Sequence, residues 1–401
     1  MIFLLSLLLC ANACCIQTTS LASQASVSDK LPWSERLALS EMIRRGDSLS
    51  FEKNPKAKWA YETGVFLKGI EGVWSKKGNE KYFEYLKSTV DSFIEPDGGI
   101  RTYKLEDYNL DNINTGKVAL SLYQKTKDER YKKAAFLLIK QLETQPRTNE
   151  GGFWHKKIYP YQMWLDGIYM EAPFYAQFSQ MFDRPAGFDD VARQIIFIES
   201  HTRDPKTGLL YHGWDESKKE EWADPKTGCS KSFWGRSMGW YAMGIVDVLD
   251  FMPAAHPKRE VLVSIFQSVC KAVANYQDSE TGLWYQVLDQ GKRPGNYLEA
   301  SASSMFVYAL AKGIRKGYLG KEYLPVARKA HDGIVRHLIK VDPDGLVSLT
   351  QICSVAGLGG PQRRNGTFDY YIGEPVVAND LKGVGPFILA SLEIEALRGA
   401  K

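Results

Sequence analysis

The turn DSETGL at residues 278–283 lies between two segments, 258–276 and 299–316, whose apolar side chains recur at helical spacing. In the first segment Leu262, Phe266 and Val269 fall on one helix face, three or four residues apart. The turn begins with an acidic residue and ends with a glycine, which adopts a positive φ at little steric cost. The sequence therefore predicts a helical hairpin around this turn.

Similar turns recur at broadly regular intervals, which indicates a repeat architecture. The other copies are PDGGI at 96–100, NEGGF at 149–153, DPKTGL at 204–209 and DPDGL at 342–346, with turn glycines Gly99, Gly152, Gly208 and Gly345 beside Gly282. Helices are predicted over 33–45, 57–73, 79–94, 113–125, 129–143, 164–182, 187–201, 232–252, 258–276, 299–316, 321–339 and 381–398. These segments make six hairpins, and we predict an all-α fold, an (α/α)6 barrel. An open solenoid is the alternative, but both of its ends would need polar caps.

Composition narrows the class of function. The chain has 401 residues and a formal net charge of +4, too mild for the concentrated basic face of a nucleic-acid protein. Hydrophobic residues make up 44% and charged residues 24%, which are ordinary values for a globular domain. No metal-ligand spacing and no phosphate-binding loop is found, so we expect neither a metal nor a cofactor. The 10 Trp and 21 Tyr suit flat surfaces that stack on sugar rings.

The pattern at the amino terminus indicates an export signal. An apolar run over 2–9 is followed by Ala-Asn-Ala at 11–13, a small-residue cleavage site. Cys14 directly after it fits the alternative of a lipid anchor. We predict a leader over 1–15, a flexible tether over 16–31 and a single catalytic domain over 32–401, exported to the periplasm or the cell surface. The apolar run is too short to span a membrane as a helix, and no other segment is long and apolar enough to do so.

Two aspartates are the candidate catalytic groups. Asp166, in YPYQMWLDG at 159–167, and Asp111, in YNLDNINTG at 108–116, each lie where a predicted inner helix begins. Either carboxylate could simply cap its helix. The aromatic and histidine neighbours of Asp166 favour a pocket, where contact with Trp would raise the pKa of the carboxyl as a general acid requires. If every glycine-ended turn precedes an inner helix, both acids face one pocket at the same end of the barrel.

A second group of candidates surrounds Arg236 in SFWGRSMGW at 232–240. The match to the esterase motif G-x-S-x-G is rejected, because no strand pattern precedes it. Arg236 between Trp234 and Trp240 suits a carboxylate partner flanked by sugar-stacking indoles. A structural arginine paired with a buried acid is an equal alternative. His212 follows a turn and is placed at the same rim, while the glycine-rich 356–361 is interpreted as a pocket wall.

These segments together resemble the unsaturated rhamnogalacturonyl hydrolases, glycoside hydrolase family 105. The likeness rests on YPYQMWLDGIYM at 159–170, YHGWD at 211–215, FWGRSMGW at 233–240 and VAGLGG at 355–360, and it continues through 370–387. It spans almost the whole chain after the leader. The family 88 glucuronyl hydrolases share the fold and the two acids, but the tryptophan motifs are closer to family 105.

The resemblance implies an (α/α)6 barrel that removes a Δ4,5-unsaturated uronic acid from the non-reducing end of lyase-generated oligosaccharides. It implies that Asp166 protonates C4 of the enol ether and activates the water that adds at C5. Asp111 would hold sugar hydroxyls and keep the pKa of Asp166 high. The substrate-binding positions implied are His155, Lys156, Trp164, His212, Trp234, Arg236 and Trp240.

Two other functions stay open at this point. An inverting glycosidase on the same barrel would use both carboxylates to cut saturated chains. A non-catalytic glycan-binding protein would keep the pocket without the chemistry. The sequence leaves the uronic acid and the next sugar undecided, with rhamnose of pectin and sulfated rhamnose of algal ulvan among the options.

Overall fold

We describe residues 27–399 in a computed structural model of the chain. The predicted leader and residues 16–26 of the predicted tether lie outside the described residues. Val27, within the predicted tether, is buried, and its backbone lies against the turn at Gly345. The folded domain therefore extends at least to Val27, further than the predicted start at residue 32. None of the helices in this part of the chain has the length and apolar character needed to cross a membrane.

Thirteen α-helices are found in the described residues, twelve of them at the predicted places. They are α1 Trp33–Arg45, α2 Tyr61–Lys77, α3 Glu80–Asp91, α4 Gly116–Thr126, α5 Glu129–Thr144, α6 Leu165–Met181, α7 Pro185–Thr202, α8 Gly235–Val248, α9 Arg259–Asn275, α10 Ala300–Arg315, α11 Leu324–His337, α12 Phe368–Gly373 and α13 Leu381–Gly399. The short helix α12 was not predicted.

The helices form two concentric rings. The inner ring runs α2, α4, α6, α8, α10 and α13, and α13 packs back against α2, so the ring is closed. The outer helices α3, α5, α7, α9 and α11 each pack on the inner helix that precedes them, and α1 packs on α13. The (α/α)6 barrel is thus confirmed, and closure excludes the open solenoid.

Burial distinguishes the two rings. In α10 every residue from 300 to 313 is buried, because an inner helix has neighbours on all sides. The outer helix α9 buries only one stripe, which includes Leu262, Phe266 and Val269, and leaves the opposite face to solvent. Cys270 lies in that stripe and is buried.

The glycine-ended turns connect outer to inner helices. Gly208, Gly282 and Gly345 have positive φ, as predicted. In the first two turns the prediction is one residue off: Gly98 and Gly151 hold the positive φ, not Gly99 and Gly152. A side chain at Gly282 would also meet the backbone of Lys329 in α11, at 2.8 Å. A sixth copy, DPKTG at 224–228, lies in the α7–α8 connection and was missed.

Six short strands, which the sequence analysis did not predict, pair into three two-stranded antiparallel sheets. They are β1 Gln162–Trp164 with β2 Gly213–Asp215, β3 Ile339–Val341 with β4 Val347–Leu349, and β5 Ile352–Cys353 with β6 Val376–Val377. Strands of two or three residues are too short for an alternating pattern to identify. The pair β1–β2 positions the candidate site.

Glu171 of α6 is a carboxyl group buried between α6 and α7, and its protonation can be tested. Its side chain is buried, and neither carboxylate oxygen has a hydrogen-bond partner among residues 27–399. Burial, and then Asp190, raises the pKa of Glu171 well above the usual value; Arg147 opposes this only weakly, since it pairs with Asp190 at 2.6 Å. Folding therefore favours the protonated form of Glu171.

We expect Glu171→Gln to stabilise the protein increasingly as the pH rises. Above about pH 4.3 Glu171 ionises in the unfolded wild type but not yet in the folded protein. The free energy of unfolding therefore falls by up to about 1.4 kcal/mol per pH unit until the raised pKa is reached. Glutamine cannot ionise and avoids this loss. Chemical unfolding between pH 4.5 and 8 measures the difference, with exposed Glu143→Gln as control. A difference that does not change with pH would contradict the assignment.

Candidate active site

The first turns of the inner helices carry the residues that the sequence analysis singled out. Asp166 is the second residue of α6, and Arg236 is the second residue of α8. Asp111 lies in a 3-10 helix, Leu110–Ile113, that leads into α4. These turns all lie at one end of the barrel, as predicted from the placement of the loops before the inner helices.

Asp166 does not cap its helix. The residue before α6 is Trp164, and no side chain accepts a cap hydrogen bond there. The Asp166 carboxylate instead lies beside His212, with Oδ2 at 3.1 Å from Nε2. The two atoms are not aligned as a hydrogen bond, and neither has another partner among residues 27–399. A buried carboxylate oxygen left open in this way is a place for a ligand or water to bind.

The pairing of β1 with β2 brings Asp166 and His212 together. Trp164 lies opposite Gly213 in the register, and the Leu165 N–H donates to the His212 carbonyl at 3.0 Å. Glycine is required at 213, because a β-carbon there would lie 2.9 Å from the Trp164 ring. The two segments are distant in sequence, so this strand pair fixes the geometry of the acid and the imidazole.

Tyr371 fixes the orientation of His212 from the other side. Its hydroxyl lies 2.7 Å from His212 Nδ1, and both side chains are fully buried. Burial raises the pKa of Tyr371 well above its usual value, so the phenol stays protonated, and because its hydroxyl has no other hydrogen-bond partner among residues 27–399, it donates to Nδ1. His212 therefore carries its proton on Nε2, which faces Asp166. Sequence reasoning missed this role, because no spacing relates Tyr371 to His212.

Asp111 has different surroundings. Asn109, rather than Asp111, caps the 3-10 helix, by accepting from the Asp111 N–H at 3.0 Å. The Asp111 carboxylate contacts Lys156 Nζ at 2.5 Å and His155 Nε2 at 3.5 Å. Burial alone would raise the pKa of Asp111, but Lys156 and then His155 outweigh it and the pKa is lowered. Asp111 is thus held ionised, which suits accepting hydrogen bonds rather than donating a proton.

His155 and Trp164 form the aromatic wall beside the two acids. Burial lowers the pKa of His155 to about 4, so this imidazole is neutral at neutral pH. It stacks on Trp164 with ring centres 4.5 Å apart, and Tyr159 also stacks on Trp164 at 4.8 Å. The edge of Trp164 meets His212 at 5.4 Å. The wall therefore joins the surroundings of Asp111 to those of Asp166.

Arg236 fits the structural alternative. It is 1% exposed, its Nε donates to Ser301 at 2.9 Å, and its terminal nitrogens contact the carbonyls of Cys353 and Ser354. Glu299 lies 3.6 Å from the guanidinium. Groups of the protein already accept the hydrogen bonds of the guanidinium. The predicted contact of Arg236 with a substrate carboxylate is therefore not supported by this geometry.

The two indoles beside Arg236 are also buried. Trp234 stacks on Tyr371 at 5.8 Å, and Trp240 stacks on Tyr169 at 4.8 Å. Each is 1% exposed, so neither offers an open face to a sugar, contrary to the prediction. Trp240 is enclosed because residues of inner helices pack against their neighbours on every side, whereas Trp234, just before α8, is covered by Tyr371 and Phe368 of α12. Of the predicted indoles, Trp164 remains the one beside both acids.

A six-hairpin barrel with one ionised and one open carboxylate at the same mouth has the layout of a glycoside hydrolase. Sequence comparison gives the particular family. Residues 33–398 match Glycosyl Hydrolase Family 88, and the chain belongs to this family.

The most informative relatives agree with this membership. A glycoside hydrolase from family 105 of C. acetobutylicum ATCC 824 is 46% identical, with a TM-score of 0.88 over 91% of this chain and 100% of that chain. The unsaturated rhamnogalacturonyl hydrolase YesR of Bacillus subtilis is 29% identical over 72% of this chain and 78% of its own length. The unsaturated glucuronyl hydrolase of Bacillus sp. GL1, 14% identical with a TM-score of 0.67 over 90% of this chain and 95% of that chain, shares the fold. The predicted family resemblance and the glycoside hydrolase class are confirmed.

Proposed function

We propose that this enzyme removes a Δ4,5-unsaturated uronic acid from the non-reducing end of lyase-generated oligosaccharides. The observation that carries the proposal is the contrast between the two carboxylates. The Asp111 carboxylate is paired with Lys156, whereas Asp166 has a carboxylate oxygen without a hydrogen-bond partner among residues 27–399, beside His212. One carboxyl group that can give and regain a proton is what hydration of an enol ether requires.

In the proposed reaction Asp166 starts as the acid and donates its proton to C4. The C4=C5 electron pair forms the new C–H bond, and the positive charge at C5 is shared with the ring oxygen. The Asp166 carboxylate then takes a proton from water as the water oxygen bonds to C5. The resulting hemiketal opens to a ketone, and the hemiacetal left at C1 expels the next sugar as an alcohol.

The neighbours of Asp166 support this cycle. The His212 Nε2–H faces the carboxylate and can orient the attacking water without taking its proton. Asp111, kept ionised by Lys156, can accept hydrogen bonds from the sugar hydroxyls. Trp164 is 5% exposed and stacks on His155 and Tyr159, so it holds the imidazole beside the acids rather than offering an open face to the sugar.

A matched pair of disaccharides tests the proposal. The enzyme should consume a lyase product with loss of its enol-ether ultraviolet absorbance, and should leave the saturated counterpart intact. Cleavage of the saturated compound would favour the inverting glycosidase, and binding without turnover of either compound would favour a glycan-binding protein.

For the next sugar we propose rhamnose. YesR, 29% identical, carries the name of an unsaturated rhamnogalacturonyl hydrolase. A panel of lyase products that differ only in this sugar should give the highest kcat/KM with rhamnose. A higher value with glucose or a sulfated rhamnose would overturn this choice and leave the hydration mechanism untouched.

We expect Tyr371→Phe to lower kcat by about 3- to 10-fold with little change in KM, the worth of one buried hydrogen bond. Without the phenol, His212 can carry its proton on Nδ1 and no longer presents Nε2–H to Asp166. Tyr370→Phe is the matched control, since the Tyr370 hydroxyl accepts from the Gly357 N–H at 3.0 Å and does not touch His212. An unchanged kcat in Tyr371→Phe would remove the tautomer argument.

We also propose that the protein is exported, on the evidence of the apolar run and the cleavage site before Cys14. The mature chain is expected to begin at Cys14 with a lipid, or just after it without one, and to reach the periplasm or the cell surface. Intact mass of the protein from fractionated cells measures this. Recovery of the chain with Met1 from the cytoplasm alone would contradict export.

A further inference from the structure

A second cavity lies at the end of the barrel opposite Asp166. It has a volume of about 330 Å³ and is lined by side chains from all six inner helices. Asp247 and Lys312 come from the last turns of α8 and α10, whereas the candidate active site uses the first turns. Tyr169 stacks on Trp240, and its ring also contacts the Lys117 ammonium group of the cavity. The cavity therefore belongs to a different part of the molecule.

The carboxylates of this cavity already have partners. Glu71 pairs with Lys68 at 2.8 Å, and Asp247 with Lys312 at 2.5 Å. Asp250 pairs with Lys312 and with Lys316, both at 2.6 Å. A bound cation would have to displace one of these ammonium groups, so the arrangement does not favour a cation site.

Lys117 is the exception among the cavity's cations. Its side chain is 3% exposed, and no carboxylate of residues 27–399 lies within 4.0 Å of its ammonium group. The Nζ donates to the Tyr169 carbonyl at 3.4 Å and lies 3.6 Å from the centre of the Tyr169 ring. Burying an ammonium group without a counter-charge is costly. When Lys117 is protonated, the cavity thus has one positive charge more than its acids balance.

Titration of Lys117 reflects the same imbalance. Burial lowers the pKa of Lys117 to about 7; Asp247 opposes the shift, and Lys68 adds to it. An anion beside the amine would keep it protonated. The charged or titratable groups that face it are Lys68 and Glu71 of α2, Tyr169 of α6, Asp247 of α8, Asp250 just after α8, and Tyr308, Lys312 and Arg315 of α10.

We propose that this second cavity binds one small oxyanion, inorganic or carboxylate, with Lys117 as its main cationic contact. The volume accommodates a group of sulfate size with water. The negative ends of the α8 and α10 dipoles oppose an anion, but Lys312, Arg315 and Lys316 in or beside the last turn of α10 offset them. The site does not depend on the proposed reaction at Asp166.

Isothermal titration of the full chain with sodium sulfate, at constant ionic strength against a sodium chloride blank, tests the proposal. One sulfate per chain is expected. Repeating the titration in buffers of different ionisation enthalpy should show uptake of about one proton at pH 8 and about a tenth of one at pH 6, because binding reprotonates an amine of pKa near 7. Affinity should fall about tenfold per pH unit above pH 7.

Two lysine variants locate the bound sulfate. Lys117→Met, which removes an unpaired buried charge and keeps the volume, should lose the binding. Lys156→Met, at the other end of the barrel beside Asp111, should retain it. Absence of sulfate binding in the wild type, binding without proton uptake at pH 8, or binding that survives Lys117→Met would each overturn the proposal. The proton count uses the wild type, so the test stands even if a variant fails to fold.

Discussion

Asp166→Asn is expected to fold like the wild type and to lose about 10²- to 10⁴-fold in kcat, the usual cost of removing a general acid–base group. Asparagine matches the shape of aspartate and keeps a carbonyl oxygen beside His212. It cannot donate a proton to C4 or take one from water. The carboxylate caps no helix and makes no hydrogen bond with residues 27–399, so little stability depends on it.

The measurement is steady-state turnover of an unsaturated disaccharide, with thermal unfolding recorded on the same samples. Asp107→Asn is the matched control, because Asp107 is an exposed aspartate just before the 3-10 helix of Asp111. Activity of Asp166→Asn within a few-fold of the wild type would remove Asp166 from the mechanism.

Arg236→Gln is expected to lower the free energy of unfolding by about 3–5 kcal/mol, the cost of removing one partner of a buried ion pair. Glu299, fully buried, would keep its bonds to Ser301 and to backbone N–H groups but lose its only nearby positive charge among the described residues. The carbonyl of Cys353 would lose its donor as well. The loss should therefore appear in stability before it appears in substrate affinity.

The variant Arg236→Lys distinguishes the contribution of the positive charge from that of the planar guanidinium geometry. Lysine keeps the positive charge but cannot reach Ser301, Cys353 and Glu299 together, because it lacks the planar fork. We expect a stability between that of the wild type and Arg236→Gln, with lower turnover. Chemical unfolding and KM are measured on both variants. Wild-type stability in Arg236→Gln together with a strongly raised KM would show instead that the guanidinium contacts the substrate.

The fold was predictable because its signals are local and repeated. Amphipathic spacing identified all twelve long helices, and the glycine-ended turns divided them into hairpins. Segments whose structure depends on distant partners were missed. β1 and β2 are three residues each and exist through their pairing. In the two turns with paired glycines, the positive φ was predicted one residue too late along the chain, because the sequence does not distinguish Gly98 from Gly99.

Most residues of the site could be predicted from the sequence, but the contacts that set their orientation and charge could not. The motif around Asp166 and the turn before His212 identified residues that do meet, and Lys156 does contact Asp111. The partners that set their states could not be predicted, because Tyr371 is 159 residues from His212 and Glu299 lies just before α10, on a different hairpin from Arg236. The sequence left Arg236 open between a substrate contact and a structural ion pair, and its neighbours in space favour the ion pair.

The position of solvent oxygen in the first-formed product tests the central claim most directly. The enzyme is run on an unsaturated disaccharide in oxygen-18 water, sampled early, and the product is reduced at once with borohydride to prevent carbonyl exchange. Mass-spectrometric fragmentation then locates the label. If Asp166 protonates C4, the label lies at C5 and the C1 oxygen is unlabelled. Label at C1 with none at C5 would contradict hydration of the enol ether and identify an ordinary glycosidase.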